Sequence, residues 1–148
     1  MTRLVDARTP LTDLPSAGVL AVELSGYADP SLDALRRLTR NGRAAAVVRE
    51  NIQAHLRFAA ARDGEIVFDD DSIDILDTED PDDVSRFPQE LRPLFTAQGE
   101  DLGFPTALAM AELVTGVRLT ADDLRAAHAS GYRPAPSMRY AEGLDDEA

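Results

Sequence analysis

The chain has 148 residues, 27 of them acidic and 15 basic, giving a net charge of −12, and 44% are hydrophobic. That length is about one domain and is enough to bury roughly two thirds of the unfolded surface without metal or disulfide support. No cysteine is present, which excludes thiolate catalysis, cysteine-rich zinc sites and disulfide frameworks, and fits a reducing cytoplasm. All the basic residues are arginines, dispersed from Arg3 to Arg139, so the chain is expected to be repelled by nucleic acid and by anionic membranes. Met1 to Pro10 has no apolar run of the signal-peptide kind, and the apolar stretch Phe104 to Val117 is broken by Glu112 and too short to span a bilayer. These features together predict a cytoplasmic protein.

Residues 1–13 read as a flexible leader. Gly18 to Ser25 reads as a strand bounded by glycines. Asp29-Pro30 offers a helix N-cap followed by a first-turn proline; Leu32, Leu35 and Leu38 then recur on one face, and Asn41-Gly42 is a stop signal. The spacing predicts a short amphipathic helix over about 30–40. Ala44 to Arg49, Ala54 to Ala61 and Glu65 to Asp69 read as strands, the last two joined through Asp63-Gly64. A three-residue loop with a glycine bulge would set Phe58 opposite Phe68 and Arg57 opposite Asp69, and is preferred over a two-residue loop that sets Phe58 opposite Asp69. Ser72 to Leu76 offers a further short strand.

Asp77 to Asp83 reads as a charged linker containing Pro81. Pro88 and Pro93 restrict Ser85 to Gln98 to a short or broken helix. Pro105 opens a stronger helix that runs to Gly116, with Leu108, Met110, Ala111, Leu113, Val114 and Val117 forming a wide apolar face. Thr120 and Asp123 are spaced as a capping box, flanked by Leu119 and Leu124 at staple positions, which predicts a helix from Ala121 to about Ser130 with Gly131 as its terminator. Residues 132–148 read as a flexible acidic tail. Strands followed by helices specify an α+β domain over 14–131, a small antiparallel sheet of about four strands covered on one face by three or four helices.

Four features in order carry a family resemblance across about Leu14 to Leu124. They are the Asp29-Pro30 helix start with Leu35-Arg36-Arg37-Leu38, the Ala45 to Arg49 strand, the Phe58 to Val67 hairpin through Asp63-Gly64, and Ala107 to Thr120. The last, an alanine-rich helix leading into Thr115-Gly116-Val117-Arg118-Leu119-Thr120 and a final helix, is the most specific. In these features the chain resembles a family of small actinobacterial proteins classed as a domain of unknown function. It departs from them in having no tryptophan and a short N-terminal lead. The resemblance implies a bacterial source and brings no catalytic residue with it.

The acidic segment is the most unusual feature: Glu65 to Asp83 holds ten carboxylates and neither lysine nor arginine. It is open to three functional readings. The first is an acidic face over Asp69, Asp70, Asp71, Asp74 and Asp77 that docks a basic protein partner. The second is a divalent-cation site at Asp69, Asp71 and Asp74, although the spacing lacks the glycine and terminal glutamate of a calcium loop. The third is a nucleic-acid mimic. Against all three stands a solvated loop that keeps the protein soluble and its sheet edge unpaired.

His55 is expected on the outward register of its strand near Asp71, a surface pair with acid–base capacity, while His128 suits the last turn of the final helix. Arg36, Arg37, Arg40 and Arg43 cluster at the end of the first helix, where cations favour the helix dipole and an anion site is the alternative. No Gly-x-Ser-x-Gly elbow or phosphate loop is present. The sequence therefore reads as a non-catalytic protein-interaction or regulatory domain, with an immunity or inhibitor protein as one concrete version. It calls for no cofactor, and a metal-dependent enzyme using the clustered carboxylates is the competing class.

Overall fold

The computed structural model describes residues 6–14, 18–21, 30–51, 53–97, 103–130 and 133–135, with side chains described from Pro30 onward except in part of the last helix and the last strand. In chain order the elements are strands β1 (Asp6–Leu14) and β2 (Gly18–Ala21), helix α1 (Leu32–Leu38), strands β3 (Ala44–Glu50), β4 (Leu56–Arg62) and β5 (Glu65–Asp70), and a 3-10 turn (Ile73–Ile75). Helices α2 (Pro81–Arg86), α3 (Arg92–Thr96), α4 (Phe104–Thr115) and α5 (Ala121–Ser130) and strand β6 (Arg133–Ala135) follow.

The class is α+β, and the central antiparallel sheet has three strands in the order β3-β4-β5, one fewer than expected. The missing strand is Ser72 to Leu76, which folds as the 3-10 turn. Strand alternation would put Ile73 and Ile75 on one face, yet Ile73 is fully buried and Ile75 is 70% exposed. Two aspartates divert the chain: Asp70 Oδ1 accepts the Ser72 N–H at 2.8 Å, and Asp74 is drawn to the start of β4. Side-chain acceptors of this kind compete with the sheet ladder. A second sheet, β2-β1-β6, pairs segments at the two ends of the chain. β1 lies mostly within the stretch read as a leader and β6 within the stretch read as a tail, of which residues 136–148 lie outside the described residues. Proline argues against strand, but here Pro10 stands opposite Pro134 beside an irregularity in the ladder, where a missing donor is tolerated.

The hairpin register corrects the sequence reading. Arg62 pairs with Glu65 around a two-residue Asp63-Gly64 turn, both residues at positive φ (51° and 80°), and the extra residue sits in β5 itself, between Ile66 and Phe68. A tight turn alone would send Phe58 and Phe68 to opposite faces, because a one-residue slip inverts every side chain. The bulge at Val67 restores them to one face, so Ala60 pairs with Phe68 and Phe58 with Asp70.

Every residue of β4 except Arg62 is buried, because both faces of this central strand are covered. Leu56, Phe58 and Ala60 point toward α2, α3 and α4, joining Phe68, Ile73, Phe87, Leu91, Phe95, Ala107, Met110 and Val114. Ala59 and Ala61 point the other way, to Val47 and Leu35 of α1. Four phenylalanines form a run through the larger core. Phe58 and Phe68 lie 5.9 Å apart, Phe68 and Phe87 stack at 4.4 Å, and Phe87 and Phe95 stack at 4.3 Å.

The helix boundaries follow side-chain caps. Ser31, one residue after Pro30, caps α1 by accepting the Ala34 N–H at 3.1 Å; the expected cap, Asp29, lies outside the described residues. Asp80 and Pro81 start α2 inside the stretch read as a linker, by the same cap-then-proline logic. Gly116 closes α4 at φ 71°. The capping box of α5 is reciprocal, with Asp123 Oδ2 accepting the Thr120 N–H at 2.9 Å and Thr120 Oγ1 accepting the Asp123 N–H at 3.1 Å. Leu113 is 47% exposed, so the apolar face of α4 is narrower than its sequence suggests.

Candidate functional site

The acidic segment, Glu65 to Asp83, begins with β5 and carries the chain through the 3-10 turn into α2. The structure divides its carboxylates into two groups. Glu65 stands apart, exposed at the start of β5; Asp69, Asp70, Asp71 and Asp74 are held by bases supplied from other elements, so the segment that lacks bases in sequence does not lack them in space.

Arg57, only 6% exposed, is the centre of the first group. Its Nε donates to Asp69 Oδ1 at 3.1 Å and lies 3.6 Å from Asp71 Oδ1, while Nη1 donates to the Pro30 carbonyl at 2.9 Å. Arg49 reaches Asp71 at 3.5 Å. Arg86 of α2 folds back to pair with Asp70, whose side chain is 10% exposed. Buried charge is tolerated only when paired and hydrogen-bonded, and this lattice ties β3, β4, β5 and α2 together.

Asp74 belongs to the same group. Its Oδ1 accepts the Leu56 N–H at 2.7 Å and its Oδ2 lies 3.2 Å from His55 Nδ1. The expected partner of His55 was Asp71; the bulge in β5 and the 3-10 turn place Asp74 there instead. Asn51 braces the approach to β4, its Oδ1 accepting the N–H groups of Gln53 and His55, and Ala54 adopts a left-handed φ of 62°. A non-glycine residue in that region costs about 1 kcal/mol or more and marks a tightly determined loop.

Burial of Asp74 works to raise its carboxyl pKa, but the bonds from the Leu56 N–H, the His55 ring and its own backbone N–H, with the charge of His55, hold it below the ordinary aspartate value. A depressed carboxyl contributes stability that is fully present above the unfolded value and is lost as pH falls through the folded one. Asp74→Asn is therefore expected to be less stable than the wild type at about pH 7, with the deficit shrinking as pH falls below the ordinary aspartate value, in urea unfolding at neutral and at acid pH. An equal deficit at the two pH values would contradict this role.

The second group comprises Asp77, Glu79, Asp80, Asp82 and Asp83. None of these has an arginine or histidine within 4.0 Å among the described residues. Their bonds are local: Asp77 Oδ1 accepts the Glu79 N–H, Asp83 Oδ2 accepts the Asp77 N–H, and Asp80 Oδ1 accepts the Asp82 N–H. Asp77, Glu79 and Asp82 are exposed. Of the five residues singled out in sequence, Asp77 alone falls in this group. Glu79 and Asp82 were missed as site residues, although Asp80-Pro81 signals the helix start that presents them.

Asp69, Asp71 and Asp74 do not converge on a common point for a cation. The Arg57 guanidinium lies against the first two, and the third faces His55 and Leu56. Among the described residues, no group of three or more His, Cys, Asp or Glu side chains is placed to hold a metal. A shallow hollow over Pro88, Gln89 and Glu90 includes neither His55 nor Asp74. In the arginine cluster, Arg37 pairs with Asp33 at 3.2 Å and Arg43 Nε donates to the Arg40 carbonyl, while Arg36 and Arg40 stay exposed. The side chain of His128 lies outside the described residues.

A family model matches residues 16–135, a span that takes in the central sheet, all five helices and the whole acidic segment. The chain belongs to DUF6461, a family of unknown function. No curated protein and no solved structure matches it. The DUF6461 match agrees with the resemblance carried by the α1, hairpin and α4 motifs, which also points to a family without an assigned function. Among the described residues, no helix is long and apolar enough to cross a membrane.

Proposed function

We propose that the chain is a non-catalytic interaction domain of the cytoplasm that docks a basic surface of a partner protein through the exposed carboxylates between Asp77 and Asp83. The observation that carries this reading is that, among the described residues, none of these carboxylates lies against a base, whereas Asp69, Asp70 and Asp71 of the same segment are held by Arg49, Arg57 and Arg86. Uncompensated carboxylates side by side repel one another, and a basic partner relieves that repulsion while speeding and orienting encounter. An immunity or inhibitor protein that covers a basic cleft is a concrete form of the proposal. Nucleic acid is the disfavoured partner, since the same field repels phosphate.

The test compares the wild type with an Asp77→Asn, Glu79→Gln, Asp82→Asn variant as bait in a lysate of the source organism, read by mass spectrometry. The expected result is a protein captured at low salt by the wild type, lost in the variant and lost again at high salt. An unchanged set of captured proteins would contradict the assignment to this segment. Substituting Asp69, Asp70 or Asp74 is not equivalent, because those residues hold the fold.

A further inference from the structure

Ile75 is the most exposed large hydrophobic side chain among the described residues, at 70%. It projects from a turn that is firmly held. Ile73 beside it is fully buried, Leu76 packs against the core, Asp74 bonds the Leu56 N–H, and the Asp70 carboxylate takes both the Ser72 N–H and Arg86. A side chain presented from a backbone held in this way has no loop to order when it is covered, which favours a strong anchor in an interface. Asp71, 81% exposed at its side chain, precedes the turn by two residues, and exposed Asp77 and Glu79 follow it. An apolar knob with a charged margin has the anatomy of an interface centre and its rim.

We infer that Ile75 is the apolar anchor of the docking face and that its occupant is a partner segment that is both basic and amphipathic, with apolar residues to cover Ile75 and cations to meet the flanking carboxylates. This rests on the proposed docking role of the acidic segment and adds what charge cannot supply, a preference for an apolar stripe within the basic partner. An anionic lipid surface offers apolar contact with the wrong charge, and a purely basic surface offers charge with no cover for the isoleucine.

The test uses two synthetic peptides of equal length and charge, one an amphipathic lysine–leucine helix and the other a lysine–serine sequence, titrated into the protein by calorimetry. Wild type is expected to bind the lysine–leucine peptide about tenfold more tightly, the gain for burying most of one isoleucine. Ile75→Ser is expected to abolish that preference while leaving the lysine–serine affinity unchanged. The Asp77→Asn, Glu79→Gln, Asp82→Asn variant is expected to weaken both peptides. Equal binding of the two peptides to the wild type, or a preference that survives Ile75→Ser, overturns the anchor and leaves the docking face standing. Binding of neither peptide overturns both. Ile75→Ser replaces an exposed side chain, and an unchanged circular dichroism spectrum and melting temperature confirm that it reports on binding.

Discussion

Asp69→Ala will lower the unfolding free energy by about 3 kcal/mol, a loss characteristic of breaking a buried ion pair from one side. The reason lies with its partner. Arg57 has only 7% of its side chain accessible, so removing Asp69 takes its closest carboxylate from a cation held largely out of water, with Asp71 farther off at 3.6 Å. Asp69 itself is 29% accessible and can be hydrated if the arginine is absent. Adding Arg57→Met should therefore restore much of the loss, because an apolar side chain of similar length fills the space without stranding a charge. Urea unfolding of the two single variants and the double variant measures the coupling. Additive losses in the double variant would show that the pair does not act as a unit.

Phe87→Ala is expected to cost about 3 to 5 kcal/mol, the range for emptying an aromatic site in a close-packed core. Phe87 is 1% exposed and is the middle ring of the run, stacked on Phe68 of β5 on one side and Phe95 of α3 on the other. Its removal separates the helical layer from the sheet, and neither neighbour can close the gap without losing its own contacts. Phe104→Ala is the control. That ring is 41% exposed at the start of α4, and its loss should be under about 1 kcal/mol. Equal effects at the two positions would contradict the placement of the core.

Local chemistry made much of the fold legible. The Thr120–Asp123 box, the Gly116 stop and the Asp63-Gly64 turn are signals a few residues long, and each appears where its residues dictate. Facing survived even where register did not. Arg57 still meets Asp69, and Phe58 still meets Phe68, because the bulge at Val67 changes the pairing without changing the face. What the sequence hid depends on contacts between distant segments. Ser72 to Leu76 alternates like a strand, and only the captures of Asp74 by Leu56 and of Ser72 by Asp70 turn it aside. Counted along the chain, Glu65 to Asp83 is ten acids without a base; in space, Arg49, Arg57, Arg86 and His55 come from outside or beyond it. The proposed docking face therefore lies toward α2, away from Asp69, Asp70, Asp71 and Asp74, which charge density alone had marked.

One paired measurement separates acids that hold the fold from acids free to dock. Urea unfolding and titration with the lysine–leucine peptide are run on two triple variants. One is Asp69→Asn, Asp70→Asn, Asp74→Asn, and the other is Asp77→Asn, Glu79→Gln, Asp82→Asn. The first is expected to lose much of its stability, and the second to stay within about 1 kcal/mol of wild type with most peptide affinity gone. A first variant as stable as wild type, or a second that binds the peptide undiminished, would show that the acids are not divided between fold and docking.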